Sequence, residues 1–278
     1  MEFSPPYINI TYHREELTYI YVNGKKIPAV VRKRPGTVGI AAAIIGKYKV
    51  DVVPHIICGG FSQSETEEAL IDLDFLGIRN ILILRGDGDK ITGKFDPHPE
   101  GYRYAIELLE HVMRMNRGDY LEQYVENPIP THFSVGVAGY PEKHPESPNF
   151  DADLYHLKQK VDAGAEYIVT QMFFDNKVYF DFVEKCRSIG ITVPIIPGLK
   201  PVAVKEHQSI LPKMFGVTIP TDLSKAMSKC KTNRDVWHLG IEWSTAQAKE
   251  LIANGAPIIH IFTMGRVDNT VAIARGIV

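Results

Sequence analysis

Three short segments carry side chains able to do chemistry. Leu84-Arg85-Gly86-Asp87 directly follows the apolar run Ile81 to Ile83, so a strand ending there delivers an arginine and a carboxylate to its C-terminal end. Gly86 lets the backbone approach a ligand closely. The arginine suits a phosphate and the carboxylate could tune a redox centre; a surface turn closed by an ion pair uses the same residues. Ala138-Gly139-Tyr140-Pro141-Glu142-Lys143-His144-Pro145-Glu146 is a proline-stiffened loop with ring faces suited to stacking on a planar cofactor. A lone Tyr and His in a loop are, however, more often ordinary surface residues. Thr170-Gln171-Met172-Phe173-Phe174-Asp175 ends an apolar run with an amide, which matches a heterocycle offering both donor and acceptor. Its Phe pair reads as packing.

Other chemistries find less support. The basic run Arg32-Lys33-Arg34 could draw a polyanion, but three charges in a row usually form a solvated face. Lys200, between Leu199 and Pro201, is the one strand-end lysine and a weak Schiff-base candidate. Cys58, Cys186 and Cys230 lack the spacing of a zinc site and the density of a disulfide scaffold, so they read as reduced thiols, with Cys58 in the core. No P-loop or nucleophile elbow occurs, no metal site is expected, and no strand end presents the paired acids of glycoside chemistry.

The segments need elements to hold them. Apolar, β-branched runs recur at Tyr7 to Tyr12, Val50 to Cys58, Asn80 to Arg85, Phe133 to Ala138, Tyr167 to Met172, Val193 to Pro197 and Pro257 to Thr263. Nearly continuous rather than alternating, they suit a parallel sheet buried on both faces. Helices are expected at Ser64 to Gly77, with Ser64 and Glu67 as its cap and Leu70, Leu73 and Leu76 as its stripe. Others are expected at Asp151 to Gly164, with Leu154, Leu157 and Val161 inward, at Lys177 to Gly190, and at Ser244 to Gly255. Residues 13 to 37 form a hairpin-like excursion turning at Asn23-Gly24, and residues 200 to 236 a long helical or irregular insertion.

Strand, loop, helix, glycine, strand is the repeated unit, which leaves a (β/α)8 barrel or an open doubly wound sheet. No G-x-G-x-x-G follows any strand, and polar residues mark strand ends along the whole chain: Thr11, Tyr12, His55, Arg85 to Asp87, Tyr140, Gln171 and Thr263. Barrel active sites are built from such ends, so the barrel is preferred. A barrel needs eight strands and this sequence offers seven.

The chain has 278 residues and 45% hydrophobic content, enough for one large barrel; a single domain over residues 1 to 278 is expected. A formal charge of −2 gives no general field for nucleic acid or an anionic membrane. No apolar run approaches a bilayer span and the N-terminus is no signal peptide, so a cytoplasmic location is the default.

Taken in order, INITYH, VVPHIICGG, ILRGD, VGVAGYPEKHPE, DLYHLKQKVDAGAEYIVTQMFFD and ITVPIIPGLKP resemble the methylenetetrahydrofolate reductase family along essentially the whole chain. The resemblance implies an α/β fold, a (β/α)8 TIM barrel, that binds FAD at the C-terminal ends of its strands. It also implies NAD(P)H as co-substrate, with NADH favoured, and a folate substrate, 5,10-methylenetetrahydrofolate, reduced to the 5-methyl form in one-carbon and methionine metabolism. A homo-oligomer is implied too. Carried over residue by residue, the FAD contacts are Thr11, Tyr12, His55, Arg85, Gly86, Asp87, Tyr104, Ala138, Tyr140, His144, Asp153 and Lys160. Asp87 and Gln171 take catalytic and substrate-binding roles, and Arg266 pairs with the folate's glutamate carboxylates. His156 and Gln159 depart from some relatives. His207 stands where relatives carry a folate-binding amide and is not counted among the site residues.

In the family the first strand reads approximately F-E-F-x-P-P, and its glutamate is the general acid. Met1-Glu2-Phe3-Ser4-Pro5-Pro6 matches superficially, but Pro6 runs directly into the next strand with no helix between. Glu2 is therefore expected in a loop, with the first strand and helix absent from this chain and the numbering beginning at an internal methionine. A flavin- and folate-binding fragment without turnover is the alternative to the enzyme.

Overall fold

The computed structural model describes residues 3–12, 16–31, 35–88 and 95–277; Glu2 and Arg32-Lys33-Arg34 lie outside the described residues. The chain forms two compact units, Met1–Gly136 with Ala163–Ala165, and Val137–Asp162 with Glu166–Val278.

The first unit holds β1 (Tyr7–Ile10), β2 (Glu16–Val22), β3 (Lys25–Val31), α1 (Thr37–Tyr48), β4 (Asp51–Ile57), α2 (Gln63–Phe75), β5 (Asn80–Leu84), α3 (Ala105–Met115) and the start of β6 (Ser134–Gly139). Its main sheet has the order β1-β4-β5-β6, with Tyr7 to Ile10 paired in parallel to Asp51 to Pro54 and His55 to Ile57 paired to Leu82 to Leu84. Val52, Val53, Ile56, Ile81, Leu82 and Ile83 are all buried, as strands covered on both faces require. β2 and β3 form the expected hairpin. Asn23 and Gly24 both take positive φ, 52° and 74°, at its turn.

Helix α2 starts two residues earlier than expected. Both Ser62-x-x-Glu65 and Ser64-x-x-Glu67 have capping spacing, and the structure uses the first: Glu65 N donates to Ser62 Oγ at 3.2 Å and Ser62 N to Glu65 Oε2 at 2.8 Å. Glu67 is instead buried. Its Oε2 accepts from Leu121 N at 2.9 Å and pairs with His111 Nε2 at 2.8 Å, while Tyr102 Oη bonds His111 Nδ1. Leu70 and Leu73 are fully buried as expected; Leu76 faces solvent. The helix stops where Gly77, at φ 75°, donates to Asp74 O and Ile78 donates to Leu73 O, a Schellman ending that leads into β5.

The second unit holds the end of β6, α4 (Phe150–Asp162), β7 (Tyr167–Met172), α5 (Asn176–Ser188), β8 (Ile195–Leu199), α6 (His207–Phe215), α7 (Thr221–Lys229), α8 (Asn233–Ala253), β9 (His260–Ile261) and α9 (Val267–Ile277). Its strand order is β6-β7-β8-β9, with β7, β8 and β9 parallel. The expected helix at Ser244 to Gly255 is the second half of α8, which opens on a Thr232–Asp235 capping box. The insertion is helical: Leu211, Leu223, Met227 and Val236 from α6, α7 and α8 pack with Met172, Phe174 and Val202. Gly240 allows this, since a Cβ there would lie 1.8 Å from the Val202 carbonyl oxygen.

All seven expected strands are present, in order. This is the strand–helix alternation of the (β/α)8 class, with seven strands in the main sheet among the described residues where a closed barrel has eight. Phe3 to Pro6 carry no strand and enter β1 directly, as their spacing predicts. Among the described residues no helix is long and apolar enough to cross a membrane.

Candidate active site

In the first unit, adjacent parallel strands bring several of the expected groups to their C-terminal ends. Thr11 and Tyr12 follow β1, with Tyr12 edge-on to Phe61 at 4.8 Å. His55 is buried within β4. Arg85, Gly86 and Asp87 follow β5, whose last residue, Leu84, pairs with the last residue of β4, Ile57. The Arg85 guanidinium lies over the Phe95 ring at 5.0 Å, and Asp87 is exposed. Gly86 has φ +93°, a conformation that a side chain would strain.

Arg85 has neighbours that report its position. Burial pushes the Cys58 thiol up to about 12, Glu107 adds to the rise and Arg85 opposes it, so all three lie within electrostatic reach of one another. Cys58 is a core thiol, as expected, and not a nucleophile. Tyr104 precedes α3 by one residue and is half exposed, with the Arg103 guanidinium 5.9 Å from its ring.

In the second unit, Ala138, Tyr140, Asp153 and Lys160 line one small chamber of about 10 Å³, room for about one water molecule. Asp153 and Lys160, two turns apart on α4, face it together. Asp153 stakes down the loop after β6, since its Oδ2 accepts from His144 N and its Oδ1 from Ser147 Oγ, both at 2.9 Å. Tyr140 and His144 meet edge to face at 4.6 Å. Lys160 Nζ donates to the Ala138 carbonyl at 2.9 Å, and burial pulls its pKa down to about 8 against the opposing pull of Asp153.

Gln171 owes its place to a break in the ladder. The register of β7 against β8 shifts between Val169 and Met172, and Thr170 Oγ1 accepts the Gly198 amide at 2.9 Å. The Gln171 side-chain oxygen, Oε1, accepts from Met172 N at 2.9 Å. Gly198 fits only as glycine: a Cβ would sit 2.3 Å from the Thr170 backbone carbonyl oxygen. Arg266 follows β9 in an exposed turn closed by its N–H to Thr263 O.

The sequence profile of the methylenetetrahydrofolate reductase family matches residues 1–277. The chain belongs to that family. It is 36% identical over 241 residues to a probable methylenetetrahydrofolate reductase (NADPH) of Caenorhabditis elegans, covering 86% of this chain and 34% of that protein. It is 33% identical over 250 residues to a probable methylenetetrahydrofolate reductase (NADH) of Oryza sativa subsp. japonica, covering 85% and 39%. The 5,10-methylenetetrahydrofolate reductase of Salmonella typhimurium is 32% identical over 244 residues, covering 87% and 75%. The chain thus spans little more than a third of the length of the first two relatives.

The span matched by the methylenetetrahydrofolate reductase family contains every residue to which the resemblance gives a role. The structure adds three features that the motifs did not reveal. Lys200 is buried at the end of β8. Glu67 belongs to an interior Glu67–His111–Tyr102 network, and Asp153 anchors a loop through both of its oxygens. A second S-x-x-E register at Ser62 was the one signal that could have freed Glu67 from its expected capping role.

Proposed function

We propose that this chain is a flavoprotein oxidoreductase that reduces 5,10-methylenetetrahydrofolate to 5-methyltetrahydrofolate with NAD(P)H, NADH being favoured, through bound FAD. Its setting is the cytoplasm, as a homo-oligomer in one-carbon and methionine metabolism. The observation that carries the reading is the placement of Arg85-Gly86-Asp87 at the C-terminal end of β5 in a chain that the family matches from residue 1 to 277.

The donor set fits FAD. The dinucleotide needs cations for its phosphates and ring faces for its heterocycles, and the first unit offers Arg85, a backbone opened by Gly86, and Tyr12. The second unit offers Tyr140, His144 and a Lys160 ammonium already desolvated, which an anion would restore toward its ordinary basicity. FAD, when bound, would supply hydride transfer between nicotinamide and folate. The protein's part is orientation and charge. Asp87 presents a fixed negative charge that favours the folate's cationic iminium over its closed ring. The Gln171 amide holds the pterin and the nicotinamide carboxamide, and Arg266 takes the glutamate carboxylates in bidentate bonds.

Binding without turnover is the competing reading. The test is product analysis of the FAD-loaded chain with NADH and 5,10-methylenetetrahydrofolate. NADH-dependent 5-methyltetrahydrofolate supports the enzyme, retained flavin without product supports the binding-only reading, and failure to hold FAD contradicts both.

A further inference from the structure

The segment after β7 is held from behind by one face of α8. Trp243 Nε1 donates to the Phe174 carbonyl at 3.0 Å, and Gln247 Nε2, one helical turn on, makes a longer 3.4 Å bond to the Phe173 carbonyl. Gln247 Nε2 also reaches Asn176 Oδ1 at 3.2 Å. Asn176 Nδ2 returns the link, donating to the Gln247 backbone carbonyl at 3.0 Å and to Glu250 Oε2 at 2.8 Å. Asn176, Gln247 and both phenylalanines are buried. The Gln247 side-chain oxygen, by contrast, is buried without a partner among the described residues. An unused buried acceptor is unfavourable, so the amide is kept for what its NH2 group holds.

These bonds bear on Gln171, which stands two residues before Phe173. The register of β7 against β8 is broken between Val169 and Met172, so regular strand pairing does not fix Gln171. Thr170 Oγ1, accepting from the Gly198 N–H at 2.9 Å, secures the chain before it, and the two clamped carbonyls secure it after. We propose that Trp243 and Gln247 are positioning residues, which set the Phe173-Phe174 segment and through it the placement of the Gln171 amide against the pterin of a folate. The inference rests on the reductase reading, which gives Gln171 its pterin. Acting through backbone carbonyls, α8 tunes the site without touching a ligand, and small misplacements of a binding group are enough to weaken it.

Packing and positioning differ in what a substitution changes. Gln247→Met keeps the side-chain length and removes the unused acceptor, and Trp243→Phe keeps an aromatic ring and removes the indole N–H. Both proteins should therefore melt within about 5 °C of wild type. The experiment measures melting temperature, FAD affinity and calorimetric binding of 5-methyltetrahydrofolate to the FAD-loaded proteins, with each substitution made in wild type and in Gln171→Ala. Folate binding about five- to tenfold weaker in each variant is expected, with FAD affinity within about twofold of wild type. Added to Gln171→Ala, either substitution should weaken folate binding by less than about twofold more, because an effect transmitted through Gln171 disappears with it. Unchanged folate binding in either variant overturns the inference and leaves the reductase reading standing, as does a loss that persists in full in Gln171→Ala. FAD affinity that falls in step with folate affinity, or a melting temperature lowered by more than about 5 °C in either variant, also overturns it, since the bonds would then support the fold as a whole. Wild type that holds FAD but fails to bind the folate removes the reductase reading and the inference with it.

Discussion

Asp87 is exposed at the end of β5, so its charge can be removed with little cost to the fold. Asp87→Asn should slow folate-driven reoxidation of the flavin by roughly 100-fold while changing reduction by NADH far less. Rapid-mixing rates for the two half-reactions check this. Gly86 tests the backbone rather than the charge: at φ +93°, Gly86→Ala should cost about 1–2 kcal/mol in denaturant melts and weaken FAD binding. Lys160 predicts a pH dependence. Its folded pKa of about 8 lies below the ordinary 10.5, so across that interval the unfolded chain holds more protons and stability rises with pH. The gain is on the order of 3 kcal/mol and should vanish in Lys160→Met, as read from the difference between the two proteins' denaturant curves at pH 7.5 and 10.5. Gly86 and Asp87 could be read from sequence because they sit in a short motif beside an apolar run, whereas Lys160, inside α4, came only through the family resemblance. The burial of Lys200 could not be read, since nothing local between Leu199 and Pro201 signals it.

Helix α2 shows how two adjacent signals compete. Ser62→Ala should cost about 1 kcal/mol in thermal or denaturant melts, and Ser64→Ala should cost nearly nothing; the reverse order would mean that the helix begins at the second register. Glu67→Ala should cost more than Glu65→Ala, because it leaves the Leu121 amide and His111 without their buried acceptor. Spacing alone could not choose between the two capping pairs. The interior chose, by needing the Glu67 carboxylate for contacts with residues more than forty positions away. The glycine endings were legible for the opposite reason: a Schellman stop is local, and Gly77 and Gly190 both form one.

The order of the seven parallel strands was legible because each is a compact apolar run followed by a helix, and in-order parallel strands need little more than that. The polar ends were readable as a set, yet the bulge that places Gln171 depends on Thr170 capturing the Gly198 amide from a neighbouring strand. The central claim is that the chain passes reducing equivalents from a nicotinamide to a folate. Its most direct test is an anaerobic stopped-flow record of flavin absorbance in the FAD-loaded protein, mixed first with NADH and then with 5,10-methylenetetrahydrofolate. The account predicts bleaching by NADH followed by folate-driven recovery of the oxidised spectrum. Bleaching that the folate fails to reverse would contradict it.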